Sequence, residues 1–308
     1  MQYFRPLRLL YLACLTAISG PATGHAQVVP LLDPTMIDAS VESILPHRLE
    51  LEETTVVFGG TDSLDAWVYV TVDHSQAWNE RHLMVNWTAL TWNGTGFDLN
   101  LAAAPNLALR ARVTPRGIPF GQLIESHYYP GQHNRSAVNP DGEVRRHETV
   151  QTDPGAVYNE ILWPYVLSRL DLAQGDRFIL PGYSPYRAQP FFFRRFHVLE
   201  RVEVQDDEGN TFEGWRVDAV GRATLKEAQE VSDGAAGRHA VYLVSHEAPY
   251  FLGKEVVEYD EDGHEGEAVK RWRLTAHRIL DLSPANRMEE ILRVRETRGA
   301  DQELPWRP

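Results

Sequence analysis

Three histidines, His127, His133 and His147, bracket a polar stretch that also holds Glu125 and Asp141. Imidazole with carboxylate suits a transition metal. The spacing matches no known ligand set, however, and among twelve histidines some clustering is expected, so solvent-exposed loop histidines are the plainer reading. His147-Glu148-Thr149-Val150-Gln151 starts like a zinc-protease helix but has glutamine where the second histidine must stand, so a tetrahedral site cannot form from it. Carboxylates crowd at Asp206-Asp207-Glu208 and from Glu258 to Glu267, without the residue order of a calcium loop. Glu258, Asp260 and Asp262 alternate, as on the solvated face and tip of a hairpin. A carboxylate pair for glycoside hydrolysis can lie far apart in sequence, and nothing singles one out. There is no Gly-x-Ser-x-Gly elbow, phosphate loop or dinucleotide fingerprint. The sequence therefore assigns no catalytic residue, no metal ligands and no cofactor.

The aromatic residues say more. Trp67, Tyr69, Trp87, Trp92, Tyr128, Tyr165, Phe191 and Phe193 all fall on inferred strands or on an inferred helix. Strands apolar on both faces need both faces covered. A sheet held between the helix and a second layer would do this, and core aromatics are common. A curved sheet with an apolar groove on its concave side would do it too, and these eight residues are then the groove candidates.

The elements that would carry them are mostly strands. Leu64, Ala66, Val68, Val70 and Val72 alternate with period two, the mark of a half-buried strand, with Trp67 and Tyr69 on its other face. His82 to Trp92, Phe97 to Ala103 and Leu107 to Val113 follow. Asn93-Gly94 and Pro105-Asn106 turn the chain between them, and Arg110 and Arg112 point away from the apolar face. Such short connections make antiparallel hairpins. Leu123 to Tyr129 is another strand, and residues 132–150 read as a long polar loop. Residues 154–173 read as the one substantial helix. Asp153 is its N-cap and Pro154 its first residue; Pro164 kinks it and Gly175 stops it. More strands run from Phe178 to Ala276, with a bulge expected at Gly214. Ser283-Pro284 opens a short C-terminal helix. The expected fold is mainly β: a curved antiparallel sheet or open half-barrel over residues 49–282, with one crossing helix. A lead-in occupies 27–48, and the short helix and tail 283–308.

Arg5 and Arg8, the apolar run Leu9 to Ile18 and the small residues Gly24 and Ala26 predict a signal peptide over residues 1–26. That run is too short to span a bilayer, and no later one approaches that length. Cys14, the only cysteine, would leave with it. A cysteine-free exported chain fits a bacterial periplasm better than a disulfide-rich secretory route. Cleavage would take the formal charge from −13 to −15 by removing two arginines. An acidic chain argues against a nucleic-acid partner and against adhesion to anionic lipid.

Residues 155–183, GAVYNEILWPYVLSRLDLAQGDRFILPGY, together with the Trp215-Arg216-Val217 strand and the hairpin around Glu255 to Arg273, resemble an uncharacterised bacterial periplasmic family, domain of unknown function 3108. That family is similar in turn to lipoprotein carriers, open half-barrels with a helical lid over an apolar concave face. The resemblance implies no catalytic residues. Pro164 and the polar loop depart from the pattern. Three functions are carried forward. The first is a non-enzymatic periplasmic binding or carrier-like protein for a lipid-like or other apolar ligand. The second is an envelope protein-interaction module, and the third a hydrolase of envelope polymers.

Overall fold

The computed structural model describes residues 28–33, 37, 40–56, 62–77, 80–91, 94–103, 106–116, 122–129, 132–139, 143–151, 156–184 and 190–280. The expected signal peptide, Trp92 and the C-terminal helix after Ser283 lie outside them.

The two-residue rhythm produces strands throughout. The first eight are β1 (His47–Thr55), β2 (Ser63–Ala77), β3 (Glu80–Thr91), β4 (Gly94–Ala103), β5 (Ala108–Arg116), β6 (Gln122–Tyr129), β7 (Gln132–Val138) and β8 (Val144–Gln151). A helical turn, α1 (Trp163–Leu167), separates them from β9 (Arg177–Tyr183), β10 (Phe191–Gln205), β11 (Thr211–Arg222), β12 (Gly237–Val244), β13 (Phe251–Tyr259) and β14 (Glu265–Ile279). A second short helix, α2 (Leu225–Glu230), lies between β11 and β12. All fourteen strands join one antiparallel sheet in the order β8-β7-β6-β5-β4-β3-β2-β1-β14-β13-β12-β11-β10-β9. Two meanders thus meet where β1 pairs with β14.

On β2, Ala66, Val68, Val70 and Val72 are buried in the main core, as period two requires. Leu83 and Val85 of β3 and Leu49 and Leu51 of β1 join them. The sheet curls around this core, and its end strands, β8 and β9, are not neighbours. The edge of β9 is covered by other chain segments. Residues 30–32 bond to Ile179, and Tyr158 bonds to Pro181 and Tyr183. Covering an edge in this way satisfies backbone groups that would otherwise template further strands.

Several expectations change. The helix expected over 154–173 is five residues long. Val157 and Tyr158, inside the span expected to be helical, form an extended strap instead. Leu109 N donates to Val157 O at 2.9 Å, and Tyr183 N donates to Tyr158 O at 2.7 Å. Pro164 then stands in the first turn of α1, where its missing N–H costs nothing. The polar stretch 132–150 is mostly the hairpin of β7 and β8, not a loop. The bulge expected at Gly214 is absent there. Gly214 pairs in register with Val202, and the irregularity falls on β10 between Val198 and Glu200. Gly214 serves close approach: a Cβ would lie 2.4 Å from Val244 O. The helix α2 was not foreseen, although Thr224-Leu225-Lys226-Glu227 spells a capping box that the structure forms in full.

His47 is fully buried among Tyr165, Tyr250 and His277. Its Nδ1 lies 2.7 Å from Leu45 O, and Nε2 has no partner. Burial, helped by His277, holds its pKa down to about 3. An unfolded chain binds a proton there below pH 6.5 that the folded one refuses until pH 3. Stability should therefore fall on acidification between those values, by about 1.4 kcal/mol per pH unit from this ring. Denaturant unfolding across pH 7 to 4 should show that slope, reduced in His47→Phe. Gly214→Ala should cost about 1–3 kcal/mol by the same measurement, because its Cβ meets backbone that cannot yield.

Candidate functional site

The interior is not completely filled. A cavity of about 280 Å³ remains between the turn leading into α1 and the inner faces of β3, β4, β5, β10, β12 and β13. Trp87, Phe192, Phe251 and Trp272 form its aromatic walls, while Asp98, Arg112, Glu160, Arg194 and Lys254 bring charge into it.

A buried polar chain builds one side. Arg112 of β5 holds Asp98 of β4 through both carboxylate oxygens. Asn100 donates to Asp98 Oδ1 at 2.9 Å, and Asn159 donates in turn to Asn100 Oδ1. Asn159 Oδ1 accepts from the backbone N–H groups of Ile161 and Leu162, at 3.2 and 3.1 Å, capping the turn that opens α1. Burial pushes the Asp98 carboxyl upward against the pull of Arg112. Every link is buried and bonded, the condition under which such a network specifies one arrangement.

The next residue, Glu160, enters the cavity. Water reaches 57% of its side chain, although protein crowds it on nearly all sides, so the cavity it lines is open to solvent. It accepts from Lys254 Nζ at 2.5 Å. Lys254, with Arg194 and Arg112 adding to it, holds the Glu160 pKa down to about 2 despite burial. Lys254 also lies 4.5 Å over the Trp272 ring. The Trp272 indole donates to Glu53 at 2.9 Å, and Lys270 pairs with that same carboxylate. Arg194 is different. It is 7% exposed, its Nη1 donates to Tyr242 Oη at 3.0 Å, and its Nε has no partner among the described residues.

The eight aromatics named from sequence separate by face. Trp87 lines the cavity, 6.1 Å from the Phe251 ring. Tyr128 and Phe191 stand beside it. Tyr128 stacks on His133 at 4.7 Å, and both Tyr128 and Phe191 meet the cavity residue Tyr183, at 4.9 and 5.2 Å. Tyr165 is buried in the core against His47 and Tyr250. Trp67 and Tyr69 alternate with the inward Val68 and Val70, so they face the outside of the sheet and are not groove residues. Phe193 is also on the outer side, packed with Val29, Ile179 and Ala228 beneath α2.

The charged residues were missed. Arg112 was expected to point away from the apolar face. A bulge in the β4–β5 pairing, where Ala111 opposes Leu101 but Leu109 opposes Ala102, turns it inward. For Arg194 a signal existed. Phe192, Arg194 and Phe196 share one strand face, and an arginine between two inward phenylalanines marks a charge inside. Asp260 and Asp262 do lie at a hairpin tip, the β13–β14 one, where they come together with His264, all three exposed. Asp260 is occupied there by the backbone N–H groups of Asp262 and His264.

No known family model matches the chain, and no curated protein matches it. Among solved structures it is similar to a β-barrel-like protein of domain of unknown function DUF1849 from Brucella abortus. Identity is 10% and the TM-score 0.37, over 77% of this chain and 99% of that one. At that level the likeness carries no functional argument, and the fold stands on the strand pairings above. The family resemblance read from residues 155–183 has no matching family model behind it, and its helix is largely a strap and a turn.

Removing Asp98 would strand the Arg112 guanidinium in the interior. Asp98→Ala should lower unfolding free energy by about 3–5 kcal/mol in urea titration, several times the effect of an exposed pair such as Arg81 with Glu42.

Proposed function

We propose that this chain is an exported, periplasmic, non-enzymatic binding or carrier-like protein that holds a small ligand with an apolar body in the cavity beneath α1. The partly enclosed space of about 280 Å³ walled by Trp87, Phe192, Phe251 and Trp272 supports this reading. It sits near the lower end of small-molecule pockets, about 300–1,000 Å³, so a compact ligand suits it better than a diacyl lipid. Export rests on the basic start, short apolar run and small residues of positions 1–26. Among the described residues no helix is long and apolar enough to cross a membrane.

The charged groups fit binding better than hydrolysis. A glycosidase needs one carboxyl kept protonated as the acid. Glu160 is held ionised by Lys254, and Asp98, although burial pushes its carboxyl upward, has both oxygens engaged by Arg112. Among the described lining residues there is no histidine to activate Ser184. The interaction-module reading finds one supporting feature, the edge strand β8 with exposed Val144. Its exposed neighbours Arg145 and Arg146 are the kind of charge that discourages strand pairing, which places that reading second.

Ser184→Trp tests the carrier reading, because Ser184 is a small residue in the cavity wall. An environment-sensitive apolar dye should bind the native protein and quench fluorescence from Trp87 and Trp272. The variant should bind it at least about tenfold more weakly, with its melting temperature within a few degrees. Equal binding by both proteins would place the dye elsewhere and remove the support.

A further inference from the structure

The cavity has an uneven charge balance. Three carboxylates and three cations line it, but their partners differ. Asp98 is engaged by Arg112 and Asn100. Glu160 is engaged by Lys254, and Glu53 by the Trp272 indole and by Lys270 from outside the lining set. Each carboxylate thus has its own cation. Among the described residues Arg194 has none within ion-pairing distance, and its one hydrogen-bond acceptor there is the neutral Tyr242 hydroxyl. It is more than nine-tenths buried, and its Nε is unsatisfied. Glu160 attracts it from beyond contact distance but is bonded to Lys254, and a buried guanidinium with no carboxylate in contact has its desolvation only partly repaid.

We propose that the cavity is a site for a small organic monoanion, a carboxylate on an apolar body, with Arg194 as its anchor. This rests on the carrier reading and names the ligand class for it. Arg194 projects inward from β10 between Phe192 and Phe196, so the charge is presented at the base of an aromatic wall. The Phe192 ring covers the guanidinium with its centroid 5.6 Å from Cζ. One edge of the guanidinium is occupied by Tyr242, which fixes the plane, and Nε, closed off from water, has no partner among the described residues. A planar fork with fixed orientation and an unsatisfied donor is the geometry that selects a carboxylate. The apolar body then lies against Trp87, Phe251 and Trp272. A cavity of about 280 Å³ lies near the lower end of small-molecule sites, so a compact acid suits it better than a long-chain one. The anion would complete the pairing that the protein makes for every other cation in the cavity. A cation would meet only carboxylates already paired.

The test uses the full chain and four probes of one chain length: octanoate, octanol, octylamine and 2-aminooctanoate. Their binding is followed by tryptophan fluorescence and calorimetry at neutral pH. Octanoate should bind at least about tenfold tighter than octanol, and octylamine more weakly than either. In Arg194→Gln, octanoate should fall to the level of octanol while octanol is unchanged, with circular dichroism checking the fold. Arg194→Lys, which keeps the charge but loses the planar fork, should be intermediate. The comparison of probes on the unaltered protein decides the matter even where a variant fails to fold. Equal binding of octanoate and octanol would overturn the anion assignment and leave the carrier reading standing. Tighter octylamine would show that Glu160 or Glu53 is read instead, and tighter 2-aminooctanoate would make the ligand a zwitterion; either overturns the proposal. Binding of none of the four, nor of the apolar dye, would sink the carrier reading itself.

Discussion

A fourteen-stranded antiparallel sheet that curls without pairing its end strands must close its interior by other means, and here the means is the buried chain from Arg112 through Asp98 and Asn100 to Asn159. It ties β5 and β4 to a segment 59 residues beyond Asn100. Val157 and Tyr158 bridge β5 and β9 on one side of Asn159. Glu160 enters the cavity on the other, and α1 follows. Polar groups in an apolar interior are costly unless every one is satisfied. That cost is what makes the arrangement specific, because a strap displaced by one residue would leave Asn100 and Asn159 with unmet bonds.

The cavity follows from this constraint. The five residues of α1 are all buried, and Trp163 packs between Tyr158 and Phe196. They fill the part of the interior beyond Asn159. On the near side the chain is still turning, and the side chain it offers, Glu160, is ionised and drawn to Lys254. A charged side chain held across a space by one partner does not pack as densely as leucine would, so room remains. The aromatic rings of β3, β10, β13 and β14 border that room, and charged groups from both meanders converge on it. The two functional signals, apolar wall and unbalanced arginine, thus come from one departure from close packing.

Strand rhythm was legible on β2 and β3 because period two is a local property: Val68, Val70 and Val72 announce an inward face without knowledge of what they face. Of the groove candidates, Trp87 reaches the cavity, Tyr128 and Phe191 stand next to it, and Trp67, Tyr69 and Phe193 look outward. An aromatic on a two-faced strand gives no local sign of which face is concave. Arg112 was misread for a related reason, since a bulge shifts the phase of everything after it and leaves no composition of its own. The helix over 154–173 failed at Val157 and Tyr158. Spacings of three and four are helical when the backbone bonds to itself, and these two bond to other strands. The capping box at Thr224 was readable and shows how well a purely local motif survives folding.

What the chain's residues determined alone is its mainly β character, its antiparallel hairpins and its acidic charge, because each depends on neighbours a few positions apart. The tertiary structure decided the rest: which face is inside, which cation is left without a carboxylate, and where space remains. Arg194 and Lys254 carry the same charge in sequence. They differ only because Glu160, distant from both, lies within reach of one ammonium and leaves the guanidinium to Tyr242. Pairing across such separations is set by the curl of the sheet, and no local pattern encodes it.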